Sequence, residues 1–171
     1  MFLSLEFFMH KVIEYISEYG REVSGDDNKE GSDILVSLTY IGKNREKDNG
    51  IKLLRTFESA RKNNEKSGVT SALVLNDHYF IQNIEGTRLA INELIMRVTS
   101  ERPHLLSHVV DFEEIEIRRW HGFLIKYLTL GSKDETHSLI HFSTGTDFNP
   151  YVMKKKQITG FLKAVFAQET S

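Results

Sequence analysis

The sequence predicts an α+β fold: a five-stranded mixed sheet with two helices on one face. Three observations point to it. Short runs of β-branched and aromatic residues alternate with polar ones, as in "ILVSLTYI" and "YFIQNIEG". Two longer stretches carry apolar residues at helical spacing. Between those stretches lies a hairpin pattern with a turn at Asn76-Asp77.

Taken in order, residues 1–19 place Leu5, Phe8, Met9, Val12, Ile13, Ile16 and Tyr19 on one stripe, predicting an amphipathic helix. "GREVSGDDNKEGSD" follows as a polar, glycine-bearing linker, so 1–33 reads as an appendage. The first strand begins at Ile34, with Val36, Leu38 and Tyr40 sharing its face. Residues 49–62 read as a helix directing Leu53, Leu54, Phe57 and Ala60 inward, closed by Asn63-Asn64 ahead of a glycine. The hairpin "SALVLNDHYFIQNIEG" comes next, then a helix over 88–100 with Leu94, Ile95 and Val98 inward. "LLSHVVDFEEIEI" and "FLIKYLTL" supply the last two strands, Pro103 marking the helix exit. Strand, helix, hairpin, helix, strand is the order of a ferredoxin-like sandwich, here with a fifth strand. The domain spans 34–130. Residues 131–171 are expected to form a helical cap over the open sheet face, with Ile158, Phe161, Leu162 and Phe166 on one side of its last helix. The basic run Lys154-Lys155-Lys156 reads as its solvated start.

Composition narrows the function. With 40% hydrophobic and 27% charged residues the chain has the make-up of a soluble domain. A net charge of -2 gives no basic field for nucleic acid. Without cysteine, thiol catalysis and Cys-ligated zinc are excluded. No signal-peptide pattern and no run of membrane-spanning length is present, so a cytoplasmic location is expected. Seven histidines form no His-Glu-x-x-His arrangement, and no nucleotide-binding glycine pattern or nucleophile elbow occurs.

Four polar residues stand at inward positions instead. Tyr40 shares strand parity with Val36 and Leu38, and Gln82 with Phe80 and Ile84. Asn63-Asn64 ends the first helix and Arg97 neighbours the inward Val98 on the second. Each has a plain structural explanation: a rim tyrosine, a solvated glutamine, a helix terminus, an outer arginine. Together, on two strands and two helices, they suggest a polar ligand site between the helices.

"LVSLTYIGK", "FESARKNNEKSGVTSALVLNDHYFIQNIEG" and "AINELIMRV" resemble the BLUF family, small blue-light sensors that hold a flavin non-covalently. The resemblance runs from about Ile34 to Leu130. It implies the ferredoxin-like sheet with a flavin ring between the two helices, and FAD as cofactor, with FMN or riboflavin as alternatives. It matches Tyr40 to the photoactive tyrosine, Gln82 to the glutamine between that tyrosine and the flavin, Asn64 (with Asn63 beside it) to the asparagine at the ring's pyrimidine edge, and Arg97 to the basic residue near its C2 carbonyl. The implied mechanism moves an electron and a proton from Tyr40 to the excited flavin and leaves the Gln82 amide in a new hydrogen-bonding state. "FNP" at Phe148–Pro150 is similar to the C-terminal cap of short members.

The sequence departs from the family before its last strand, where Arg-x-Phe-x-x-Trp-x-Met is usual and "RRWHGFLIK" stands. The gap-free register puts Trp120 at the Phe position, Phe123 at the Trp and Ile125 at the Met. Another register makes Trp120 the family tryptophan but needs a three-residue deletion. Phe123 and Ile125, expected on the strand beside Gln82, are then the signal-relay positions, and neither has a hydrogen-bond donor or a thioether. Gly42 stands where Ser is common, and Ser71 where Gly usually follows the Thr.

The reading is a stand-alone photoreceptor without enzymatic activity, with no room for an output enzyme after Leu130. Its output goes through a protein partner or a homo-oligomer interface. A ferredoxin-like interaction module without photoactivity is the alternative. An acylphosphatase-type enzyme would leave Tyr40 and Gln82 unexplained.

Overall fold

The computed structural model describes residues 34–44, 51–101, 108–128 and 148–168. The N-terminal helix expected over 1–19, the linker after it and the first part of the C-terminal cap lie outside these residues. The chain runs through β1 (Leu35–Lys43), α1 (Ile51–Lys66), β2 (Thr70–Leu75), β3 (Tyr79–Thr87), α2 (Arg88–Glu101), β4 (His108–Ile115) and β5 (Phe123–Tyr127). A single 3₁₀ turn (Pro150–Val152) and α3 (Lys155–Val165) follow.

The strands form one sheet in the order β4-β1-β3-β2-β5. The β1–β3, β1–β4 and β2–β3 pairs are antiparallel and β2–β5 is parallel. This is the expected ferredoxin-like, mixed five-stranded sheet. One detail differs from the sequence reading: β5 does not neighbour β3, because β2 lies between them. The ladder between β1 and β4 shifts register between Thr39 and Tyr40, a bulge beside the one tyrosine of the strand.

Two apolar cores flank the sheet. On one face Val36, Leu38, Leu73, Leu75, Phe80 and Ile84 pack against Leu53 and Phe57 of α1 and Ala90, Ile91, Leu94 and Ile95 of α2. On the other, Ile41, Ala72, Val74 and Ile81 pack against Ile158, Phe161 and Leu162 of α3 and against Phe166. The expected stripe of α3 is therefore the one buried, at about 1.5–3 kcal/mol for each large apolar side chain. Buried on both faces, the central strands β1 and β3 are accessible only at their end residues.

α1 extends four residues beyond its expected end. Asn63 and Asn64 lie within its last turn, and Gly68 closes it at φ +66. Val69 N–H bonds to the Asn64 carbonyl at 2.9 Å and Gly68 N–H to that of Glu65 at 3.1 Å, the two bonds of a Schellman stop. The extension has a physical cause: Leu53, Phe57 and Asn64 form the buried side of the helix, so its last turn is still part of the packed face. The hairpin turns where expected, and Asn76 Oδ1 accepts from the N–H groups of His78 (2.9 Å) and Tyr79 (2.7 Å).

Candidate functional site

α1, α2 and the middle of the sheet enclose a cavity of about 230 Å³. Tyr40, Gln82 and Ile84 form its floor, Phe57, Ala60, Asn63 and Asn64 one wall, and Leu94, Ile95, Arg97 and Val98 the other. Strand alternation puts these floor residues on the helix side, and the β1–β3 register sets Tyr40 directly opposite Gln82.

Tyr40 is 4% exposed and Gln82 3%. The Tyr40 hydroxyl donates to Gln82 Oε1. Burial pushes the Tyr40 phenol well above its ordinary pKa of 10.0, which keeps it protonated as a donor. With its oxygen engaged by Tyr40, the Gln82 amide has its NH₂ donors to offer the cavity. The edge of the Phe80 ring supports Tyr40, at 5.9 Å between centroids and 81° between planes, and Phe80 meets Phe57 at 5.3 Å and 63°. This packing relies on Gly42, since a Cβ there would lie 2.3 Å from Phe80 Cε1 and Cζ.

On the walls, Asn64 is buried and its Oδ1 accepts from Arg97 Nη2 at 3.4 Å. Asn63 is exposed at the rim. The five residues expected to hold a ligand, Tyr40, Asn63, Asn64, Gln82 and Arg97, thus line one cavity. Phe123 and Ile125 do not line it. They pack at the border of the same core, and Ile125 pairs with Leu73, which in turn pairs with Gln82. Two strand spacings, about 10 Å, therefore separate Ile125 from Gln82.

The opposite face holds polar residues that sequence reasoning missed. Asn83 is 1% exposed and donates to Ser37 Oγ (2.8 Å) and Thr39 Oγ1 (2.7 Å) while accepting from Trp120 Nε1 (2.6 Å). Glu85, with no exposed surface, accepts from the backbone N–H of Arg119 at 2.7 Å and of Trp120 at 3.3 Å. Burial raises its carboxyl pKa above 4.5, opposed by those two amides and by the nearby Arg119 and Arg118. Trp120 belongs to the core under α3, so it lies on the face away from the cavity.

The donor set suits a flat, hydrogen-bonding heterocycle. Apolar walls flank it, the floor offers a phenol and an amide, and one end offers an asparagine and an arginine. The volume suits a flat ring system. Among the described residues, no group of three or more His, Asp or Glu side chains is placed to hold a metal ion, and no helix is long and apolar enough to cross a membrane.

Comparison with known proteins bears on the fold and the family. No curated protein matches the chain. Among solved structures, the chain is similar to "BlsA photo-activated state" at 22% identity and TM-score 0.64, over 80% of this chain and 98% of that one. It is similar to "BlrB - a BLUF protein, dark state structure" at 25% identity and TM-score 0.61, over 81% and 98%. Klebsiella pneumoniae BlrP1 with FMN and cyclic diGMP matches at 23% identity and TM-score 0.54, over 77% of this chain and 36% of that one. These likenesses support the fold. The family model described as "BLUF: Sensors of blue-light using FAD" matches residues 35–126, more than half of the 171. The chain belongs to the BLUF family and is a flavin-binding sensor of blue light.

Proposed function

We propose that Tyr40 and Gln82 are the light-responsive pair of this sensor, with FAD held between α1 and α2 by Asn64, Arg97 and Asn63. The observation that carries the reading is the buried hydrogen bond from the Tyr40 hydroxyl to Gln82 Oε1 in the cavity floor. FMN and riboflavin present the same ring and are the alternatives, since the cavity contacts suit the ring alone.

When bound, the flavin supplies blue-light absorption and a one-electron acceptor. Tyr40 would be the electron donor to it. The Gln82 amide oxygen, already on the Tyr40 hydroxyl, would take the phenol proton and hand it back when the charge recombines. With Tyr40 again protonated, the amide would then stand turned, its NH₂ toward Tyr40 and its oxygen toward the cavity. No atom is gained or lost; only the hydrogen-bond pattern differs.

The placement of Phe123 on the helix side and of Trp120 on the far side supports the gap-free register, with Phe123 and Ile125 at the family's Trp and Met positions. Output is to a protein partner or a second copy of the chain, and the chain is not itself an enzyme. The test is Tyr40→Phe, which keeps the ring and removes the hydroxyl. The variant binds flavin and gives no red shift in blue light; a variant that still switches refutes the role of Tyr40.

A further inference from the structure

Gln82 and Asn83 are consecutive in β3 and face opposite sides of the sheet. Gln82 lines the cavity. Asn83 bonds across to Trp120, whose ring meets Phe166 at the end of α3 edge-on, at 6.0 Å and 73°. From the cavity to α3 the path is one peptide unit, one hydrogen bond and one ring contact.

The Asn83 amide is held on every side. Its NH₂ is shared between Ser37 Oγ at 2.8 Å, Thr39 Oγ1 at 2.7 Å and the Leu38 carbonyl at 3.4 Å, and its oxygen takes the indole N–H at 2.6 Å. A backbone shift at 82–83 therefore cannot be absorbed by free rotation of the amide and has to be met at the indole. The segment that carries Trp120 is itself bonded to β3. Arg118 Nη1 donates to the Glu85 carbonyl at 2.8 Å, and the Glu85 carboxylate takes the N–H of Arg119 and of Trp120. The other route, along β5, starts two strands from Gln82, and Phe123 and Ile125 lack polar side chains with which to sense an amide.

We propose that the Asn83–Trp120 hydrogen bond is the relay by which the state of the Gln82 amide reaches α3, with Trp120 as its positioning residue. The inference rests on the light-sensor reading above. The element with two states is the Gln82 amide, and the element biased by it is the packing of α3 on the far face.

Trp120 is the only tryptophan in the chain, so its indole can be observed without ambiguity. The experiment uses the full chain with bound flavin. Tryptophan labelled with ¹⁵N in the indole is read by light-minus-dark infrared difference spectroscopy, and amide hydrogen exchange is followed over 155–165 in dark and light. Illumination shifts a label-sensitive indole N–H band and changes exchange in α3. Trp120→Phe, which restores the family's residue type and removes the donor together with the pyrrole part of the ring, keeps the flavin red shift and loses the light-dependent change in α3. Asn83→Leu, which removes the acceptor, gives the same result by a second route. A difference spectrum without a label-sensitive band overturns the relay. So does a Trp120→Phe variant whose α3 exchange differs between light and dark as in the wild type, because a merely structural tryptophan alters both states alike. A wild type without any red shift overturns the light-sensor reading itself, and the flavin absorption reveals this before either protein signal is measured.

Discussion

Tyr40 and Gln82 face each other across the β1–β3 ladder, and the phenol of one donates to the amide oxygen of the other beneath the cavity between α1 and α2. The amide on an otherwise apolar strand face is thereby partnered on one side by protein and open on the other to the occupant of the cavity. A buried amide whose donors find no partner costs about 1–3 kcal/mol.

Asn64 is the wall residue best placed to recognise a heterocycle edge, being buried, facing the cavity and steadied by Arg97. Asn64→Leu keeps the volume and removes both donors and acceptor. Flavin affinity is expected to fall about tenfold or more, from one lost hydrogen bond of about 1–3 kcal/mol. Titration of the flavin-free protein with FAD and FMN checks this, and an unchanged affinity contradicts it.

Gly42 is expected to be intolerant of any side chain. An added Cβ meets the Phe80 ring at 2.3 Å, and that ring is wedged between Tyr40 and Phe57. Gly42→Ala should lower unfolding free energy by about 1–3 kcal/mol through overpacking, read by denaturant titration. Equal stability would show that Phe80 has room to move.

Glu85 gives a pH dependence with a definite sign. Its carboxyl is raised above 4.5 by burial, so the folded state holds the proton at pH values where the unfolded chain has released it. The associated stability is full below 4.5 and is lost as pH rises through the higher folded value. Glu85→Gln has no such proton. The stability of wild type minus that of Glu85→Gln is therefore expected to fall as pH rises from 4.5 toward neutrality, measured by denaturant titration at several pH values. A difference that grows with pH would mean that Arg119 and the two backbone amides outweigh burial.

Much of this was legible in the sequence where periodicity carries the information. The alternation of Ile34, Val36, Leu38 and Tyr40 and of Phe80, Gln82 and Ile84 assigned both floor residues to the helix side, and the helical stripe of α3 was read correctly. The end of α1 was misread because Asn-Asn before a glycine is a common helix stop; yet Asn64 stands seven residues from Phe57, a spacing that keeps it on the buried face. The position of β5 depends on a parallel pairing with β2 between distant segments, which no local pattern encodes. The Asn83–Trp120 bond was illegible for a similar reason. It joins a strand to an aperiodic loop 37 residues away, on a sheet face whose burial follows from α3 and not from the strand itself.

The central claim is that this chain holds a flavin whose surroundings are switched by light through Tyr40 and Gln82. The absorption spectrum of the purified protein, taken in the dark and again after blue light, tests it most directly. The account predicts a flavin spectrum in the dark and a reversible shift to the red after illumination. Protein that takes up FAD and shows no shift, or that takes up no flavin at all, contradicts it.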